Sequence, residues 1–384
     1  MVAAPGYAPI SVKFEAGAGH GEFPTQGLLS AMLRASDQIS DLVFSPGRSP
    51  QVEVHGQLIP VQGPGLRVLS ADDTRRIAAD LIGNNKQALT MLREQGSCDV
   101  SYGLPGLARF RVNVFIQRGS CAVVMRVIPT SIPDRRILGL PPQVDAVAQL
   151  REGIVLVAGP RGSGKSSSLA ALLDSINQEQ TCHIITIEDP IEFLHTHKKA
   201  TIHQRELHSD TPSYTHALRA ALRQSPRVIL VGEMRDRETM EMVLEAAETG
   251  HLVLSTVNAV DASKAVERIV SAFSSPDQGP VRSRLAKTLR WVIAQRLIPR
   301  MDNGSRAAAF EILSNTPRVR ECIEHANRPD QNLLCLIKEG TEDGMQHFDQ
   351  QIAELVQQGA VDLDTALGYA TDPQELRSLV QAAR

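Results

Sequence analysis

Hydrophobic and polar positions divide the chain into two kinds of segment. From Gly27 onward, Leu28, Leu29, Met32 and Leu33 recur at helical spacing, and a second amphipathic helical stretch runs over residues 72–92. Between them, Val52 and Val54 alternate with Glu53 and His55, and Gly56 turns the chain toward Leu58 and Ile59, which predicts a hairpin. Over residues 109–116, Phe110, Val112, Val114 and Ile116 share one parity while Arg109, Arg111 and Asn113 share the other. A period of two therefore predicts a strand with two arginines on one face and an apolar face behind them. The turn Gln117-Arg118-Gly119 leads into a second run over 121–128. Residues 27–130 read as a small α+β domain. The Ala-, Gly- and Pro-rich residues 1–26 read as a flexible tail, and the proline-punctuated residues 131–145 as a linker.

After that linker the pattern changes. Runs at 154–158, 184–187, 228–231 and 252–256 are short, nearly all apolar and rich in β-branched residues, with helical patterns between them. Strands buried on both faces look like this, so residues 146–384 are expected to form an α/β domain around a parallel sheet. From about Arg282 the expectation is a helical C-terminal part, with Leu285, Leu289, Val292 and Ile293 on one stripe and Phe348, Ile352 and Leu355 on another.

Composition narrows the classes. The 384 residues carry 40 Lys and Arg against 43 Asp and Glu, a formal charge of −3, with 42% hydrophobic residues. These values fit a folded, multidomain protein, and no apolar run reaches the roughly 18 residues of a membrane span. A near-neutral balance argues against nucleic acid as the main partner. The basic positions Arg282, Arg284, Lys287 and Arg290 are the only feature in its favour. Five dispersed cysteines with no C-x-x-C pair predict reduced thiols in a cytoplasmic protein, with neither a disulfide framework nor a zinc ribbon.

The chemistry gathers after the first buried strand. Gly159-Pro160-Arg161-Gly162-Ser163-Gly164-Lys165-Ser166 matches G-x-x-x-x-G-K-[ST] between a strand and a helix, the context that makes a P-loop. Its backbone N–H groups would wrap phosphates, Lys165 would reach the β- and γ-phosphates, and Ser166 would ligate Mg²⁺, so ATP and Mg²⁺ are the expected cofactors. Two further strands end in acids: Glu188, Asp189 and Glu192 after one, Glu233 and Asp236 after the other. Hydrolysis needs a group that activates water and another that positions the metal, and Glu188 and Glu233 are the metal candidates beside Ser166. Arg219 and Arg223 lie four apart on a helix face before Pro226, where they could serve phosphates or solvent. His251 precedes the strand over 252–256.

In this order, the motifs resemble the PilT-type ATPases of type IV pilus retraction, within the type II/IV secretion ATPase superfamily. The resemblance spans residues 27–384. It identifies residues 159–166 as the Walker A motif, 188–192 as an acidic box with Glu192 as the catalytic carboxylate, 231–236 as Walker B around Glu233, and 249–253 as a histidine box around His251. Residues 109–113 and 117–118 resemble the family's PAS-like N-terminal domain, while 204–206 and 217–223 resemble the segment that supplies interface arginines. Gln295-Arg296-Leu297 and residues 344–349 match further family positions.

The resemblance implies a RecA-like P-loop ATPase domain behind a PAS-like domain, and a homo-hexameric ring with nucleotide between the two domains. Arg109 and Arg111 would then sense the nucleotide. It also implies work on an inner-membrane pilus platform protein, from the cytoplasmic face and without a transmembrane segment. The chain departs from the family pattern at Asn258, where a second histidine is usual, and at Arg227 and Arg161. Residues 319–325 differ from the retraction-associated segment, so an accessory ATPase of PilU type, or a secretion-system subunit with weak or regulatory hydrolysis, is the alternative reading.

Overall fold

The computed structural model describes residues 9–12, 24–36, 38–63, 66–129, 131–302, 305–325 and 332–382. It divides into two compact units, residues 1–130 and 131–384.

The first unit is a seven-stranded sheet with helices packed on it. Its strands are β1 (Ile10–Ser11), β2 (Ile39–Phe44), β3 (Gln51–Val54), β4 (Gln57–Gln62), β5 (Ser97–Leu104), β6 (Ala108–Gln117) and β7 (Ser120–Ile128), in the order β1-β4-β3-β2-β7-β6-β5. The expected β3–β4 hairpin and the β6–β7 pair are antiparallel. In β6 the parity reads as expected at Phe110, Val112 and Val114, all fully buried, whereas Ile116 at the strand end is exposed. Arg111 is exposed on the opposite face. The helix α1 (Thr25–Leu33) buries Leu28, Leu29 and Met32. The single stretch expected over 72–92 is instead two helices, α2 (Ala71–Ile82) and α3 (Lys86–Gln95). Gly83, at φ +55°, ends α2, and the Asn85 side chain caps α3 by accepting from the Ala88 N–H at 3.0 Å.

Most of the expected tail lies outside the described residues, but part of it is not loose. Ile10 pairs with Val61 in a parallel edge strand, and Val12 is buried. Two residues of strand are too few to register as a pattern.

The second unit holds strands β8 (Gly153–Ala158), β9 (His183–Glu188), β10 (Thr201–Glu206), β11 (Val228–Val231), β12 (Leu252–Val257), β13 (Leu289–Pro299) and β14 (Arg306–Ser314), in the order β10-β9-β11-β12-β8-β13-β14. All neighbours are parallel except β13 and β14. The continuous apolar runs are explained by burial on both faces. Ile154, Leu156 and Ala158 of β8 join one core with α5 (Tyr214–Ala221), α6 (Arg237–Glu248), α7 (Ala262–Ser271) and α8 (Ser275–Thr288). Val155 and Val157 join another with α4 (Lys165–Glu179) and the 3-10 turn Pro142–Gln149.

The helical C-terminal part needs correcting. Residues 289–299 and 306–314 are strands β13 and β14, and helices resume only with α9 (Pro317–Glu324), α10 (Leu333–Glu339), α11 (Phe348–Gln357), α12 (Leu363–Tyr369) and α13 (Pro373–Ala382). The run Trp291-Val292-Ile293-Ala294 completes the sheet beside β8, and its spacing from Leu285 matched a helix by coincidence. The proline-rich linker is likewise packed onto this unit: Leu140 and Val144 are buried, and Arg135 pairs with Asp145 at 2.7 Å.

Candidate nucleotide site

β8 ends at Ala158 and α4 begins at Lys165, so the six residues between must reverse the chain tightly. Gly164 does this at φ +87°, and a Cβ there would lie 2.8 Å from Gln295 Nε2. A Cβ on Gly159 would lie 2.3 Å from Ser163 Oγ. Glycine is required at both positions by the closeness of the surrounding atoms. The first helical bond runs from Ser168 N–H to Gly164 O at 3.1 Å, so the N–H groups ahead of it remain available at the positive end of α4. Lys165 Nζ donates to the carbonyls of Gly159 (2.8 Å) and Pro160 (2.9 Å), folding back over the loop. Burial lowers the Lys165 pKa below the usual lysine value, and Arg161 lowers it further, while Glu233 opposes them. Ser163 Oγ is buried without a partner. Such a loop suits phosphate oxygens, which accept from N–H, hydroxyl and ammonium donors alike.

The carboxyl ends of the neighbouring strands lie along the same edge. Val257 sits opposite Ala158, and Val231 opposite Ser255 and Ile187. Glu233 follows β11. Its carboxylate accepts from Arg235 Nε at 2.7 Å and, closely, from the Asn258 amide beyond β12. Arg235 also reaches Asp189 at 3.6 Å, joining the two acidic strand ends. The residue at the departure from the family pattern, Asn258, is thus a direct partner of Glu233.

Glu188 and Glu192 have different settings. Glu192 lines an open cleft of about 760 Å³ together with Lys165 and Ser166. Glu188 does not line it. Its carboxyl accepts from Thr186 Oγ1 (2.6 Å) and Gln204 Nε2 (3.1 Å), and burial raises its pKa against these bonds and that from the Glu192 N–H. Glu233 does not line the cleft either; the bonds from Thr186, Gln204 and the Glu192 N–H tie Glu188 to the loop that carries Glu192. Gln204 and Glu206 share the task, Gln204 accepting from His195 N–H at 2.8 Å and Glu206 from Ile191 N–H at 3.1 Å.

Several wall residues were given no role by the sequence. Gln295 on β13 is buried beneath the P-loop and accepts from Ser168 Oγ at 2.7 Å. The match of Gln295-Arg296-Leu297 to the family was the signal available for it. Arg306 reaches Gly162 O at 3.4 Å, and Arg136 of the expected linker joins the cleft with Gln351 and Glu354 of α11. Arg161 points elsewhere, lining a smaller recess with Ser163, Arg296 and Tyr369.

Within the second unit, His251, Arg219 and Arg223 do not line this cleft. His251 sits at the opposite end of β12, where Nδ1 meets Ala246 O at 2.9 Å and Thr249 Oγ1 at 3.2 Å. Within one subunit it is a turn-closing residue, because the strand carries it away from the P-loop. Arg219 is exposed on α5, and Arg223 lies exposed just past that helix, its N–H bonded to Ala220 O at 3.0 Å. Arg109 and Arg111 belong to β6 of the first unit. On the expected basic face, Arg284 is engaged by Glu241 and Glu248, and Arg290 is on β13, where it pairs with Glu152 at 3.2 Å.

A glycine-cradled loop at the carboxyl edge of a parallel sheet, with acids on the adjoining strand ends, defines a P-loop ATPase. The family described as type II/IV secretion system protein matches residues 105–363. The type IV pilus retraction ATPase PilT of Pseudomonas aeruginosa is 40% identical over 342 residues, which are 88% of this chain and 96% of that one. The type IV pilus ATPase PilU of the same organism is 38% identical over 89% of this chain and 88% of its own length. Among solved structures, the pilus retraction motor PilT with bound ADP superposes with a TM-score of 0.80 at 38% identity, covering 93% of this chain and all of that one. The chain belongs to the type II/IV secretion system protein family.

Proposed function

We propose that this ATPase is the subunit of a homo-hexameric motor that couples Mg-ATP hydrolysis to type IV pilus retraction. The observation that carries the reading is the cleft in which Lys165, Ser166 and Glu192 meet, in a chain similar along most of its length to a pilus retraction ATPase. The strand order supports a RecA-like core, since β12 separates the P-loop strand β8 from the Glu233 strand β11. Residues 27–130 would be the PAS-like domain and 146–384 the motor.

The unpartnered Ser163 hydroxyl, the glycine cradle and the helix N-terminus fit a phosphate chain. Lys165 would hold the β- and γ-phosphates once released from the Gly159 and Pro160 carbonyls. Ser166 and Glu233 would hold Mg²⁺, which when bound supplies charge neutralisation on the phosphates. Glu192 would orient and deprotonate the attacking water, kept in place by Glu188 and Gln204. Arg219 and Arg223, exposed on one subunit, would serve a neighbour's nucleotide in the ring, and Arg109 and Arg111 would sense the γ-phosphate. Among the described residues no helix is long and apolar enough to cross a membrane. We place the ring at the cytoplasmic face of the inner membrane through a platform protein.

The test is Mg²⁺-dependent ATPase activity of the purified protein and of Glu192→Ala. A general base contributes on the order of 10²-fold or more, so a loss of at least that size is expected. Equal rates would remove Glu192 from the mechanism. The second reading, an accessory ATPase of PilU type, rests on the nearly equal identity to that relative. Deleting the gene in a piliated host separates them: pili locked in extension support a retraction motor, and unchanged retraction supports the accessory role.

A further inference from the structure

The start of α11, outside the residues that line the nucleotide cleft, holds a cluster of ligating side chains that the ATPase mechanism does not use. His347 precedes α11, Asp349 lies in its first turn, and Glu375 lies in the first turn of α13. One ligand atom from each lies within 4.8 Å of the others. We propose that His347, Asp349 and Glu375 bind a divalent transition-metal cation, with Zn²⁺ the best match.

The decisive observation is the imidazole. His347 is 3% exposed, makes no helix-capping bond, and leaves Nε2 buried with no hydrogen-bond partner. An Asp349 oxygen faces it at 3.9 Å, beyond hydrogen-bond reach. A buried polar nitrogen facing a carboxylate at that distance lacks what a cation would supply. Zinc binds imidazole and carboxylate at about 2.0–2.2 Å, which sets neighbouring ligand atoms of a tetrahedral site about 3.4 Å apart. The His347–Asp349 gap exceeds that by about 0.5 Å, within the reach of small side-chain rotations.

The rest of the cluster is arranged as metal ligands usually are. Both Asp349 oxygens accept backbone N–H groups, from Thr371 at 2.6 Å and Asp372 at 2.7 Å. Each oxygen keeps one lone pair, and the bonds orient the carboxylate as outer-sphere partners do. Glu375 is half-buried and paired with Lys338 of α10, so it opens the site to solvent and the cation must compete with that ammonium. One imidazole with two carboxylates suits zinc or manganese better than Mg²⁺, which prefers oxygen ligands and retained water. The same helix α11 lends Gln351 and Glu354 to the nucleotide cleft, so metal at its start would brace that wall.

The experiment uses the full chain, stripped with a chelator, and titrates Zn²⁺ against a chromophoric chelator. Co²⁺ then serves as a probe, its visible spectrum reporting nitrogen and oxygen coordination. His347→Asn and Glu375→Gln are compared with His183→Gln. The last is the control, because His183 and His203 approach at 2.9 Å on a partly exposed edge of the sheet and could capture metal themselves. Wild type should bind one Zn²⁺ that His347→Asn loses and His183→Gln keeps, with Glu375→Gln weakened at least tenfold. Unchanged binding in both His347→Asn and Glu375→Gln, or loss confined to His183→Gln, would overturn the assignment. If His347→Asn fails to fold, Glu375→Gln decides alone, since its half-exposed side chain tolerates the change.

Discussion

Glu311 offers a sharp test of the energetics beside the nucleotide cleft. It lies on β14, 1% exposed, and one carboxyl oxygen accepts the Ala262 N–H at the start of α7 at 2.9 Å. The other oxygen has no partner. Burial pushes its pKa up to about 7; Asp261 and Asp349 add to the rise, and the Ala262 bond and Arg296 oppose it. The unfolded chain would release this proton near pH 4.5. Between those values the folded state binds more protons than the unfolded state, so its contribution to stability is complete below about pH 4.5. That contribution falls as pH rises through 7. A shift of 2.5 units at 1.36 kcal/mol per unit corresponds to about 3 kcal/mol. Replacement by glutamine keeps an acceptor for Ala262 and removes the ionisation. Glu311→Gln should therefore match wild type near pH 4 and exceed it by about 3 kcal/mol at pH 8, roughly 6 °C in Tm for a unit of this size. Trp291, the only tryptophan in the sequence, lies on the adjacent strand β13, so urea unfolding followed by its fluorescence reports on the relevant sheet. Parallel stability profiles for the two proteins from pH 5 to pH 8, or a variant weaker at pH 8, would refute the argument.

Two further substitutions probe the loop and its acid. Gly164→Ala must hold a left-handed φ, at about 1–2 kcal/mol, and push its Cβ toward Gln295; nucleotide binding should weaken at least tenfold in a fluorescent-nucleotide titration, and wild-type affinity would count against the cradle. Asn258→Ala removes the amide that holds Glu233, so kcat should fall several-fold to about tenfold with KM little changed; a change in KM alone would mean that Asn258 serves binding rather than Glu233.

What the sequence showed most clearly were elements whose signal is local. The P-loop announces itself because glycine, lysine and serine at fixed spacing have one physical use, and β6 because its parity alternates over eight residues. What it hid were elements defined by partners distant in the chain. β13 reads as a helix stripe until β8 is placed beside it, and β1 is two residues whose only recommendation is the edge of β4. Gln295 and Arg306 reach the P-loop from more than a hundred residues away, so no spacing rule could connect them. Acid-rich boxes are a third case. The order Glu188, Asp189, Glu192 shows that carboxylates gather at a strand end, but burial alone separates the one that holds the loop from the one that faces the cleft.

The histidine box shows why a motif that straddles a strand has to be divided before it is interpreted. β12 runs six residues parallel to β8, with Leu252 opposite Gly153 and Val257 opposite Ala158. At about 3.3 Å per residue its two ends are roughly 20 Å apart. In a parallel sheet, only the carboxyl end faces the crevice where ligands bind. His251 stands at the amino end, closing the turn after α6 through Ala246. Asn258 stands at the carboxyl end, with its amide on Glu233. The chemically placed member of this motif is therefore the residue that departs from the family's histidine. An amide can orient Glu233 by donating a hydrogen bond, but it cannot take up a proton at any pH near neutrality, whereas an imidazole can. Any pH dependence of hydrolysis near pH 6–7 must then originate elsewhere than at position 258. Asn258→His should introduce such a dependence at Glu233, read as a new inflection in the pH profile of kcat that wild type lacks. A variant profile superposable on the wild type's would show that this position orients Glu233 without reaching the reacting groups.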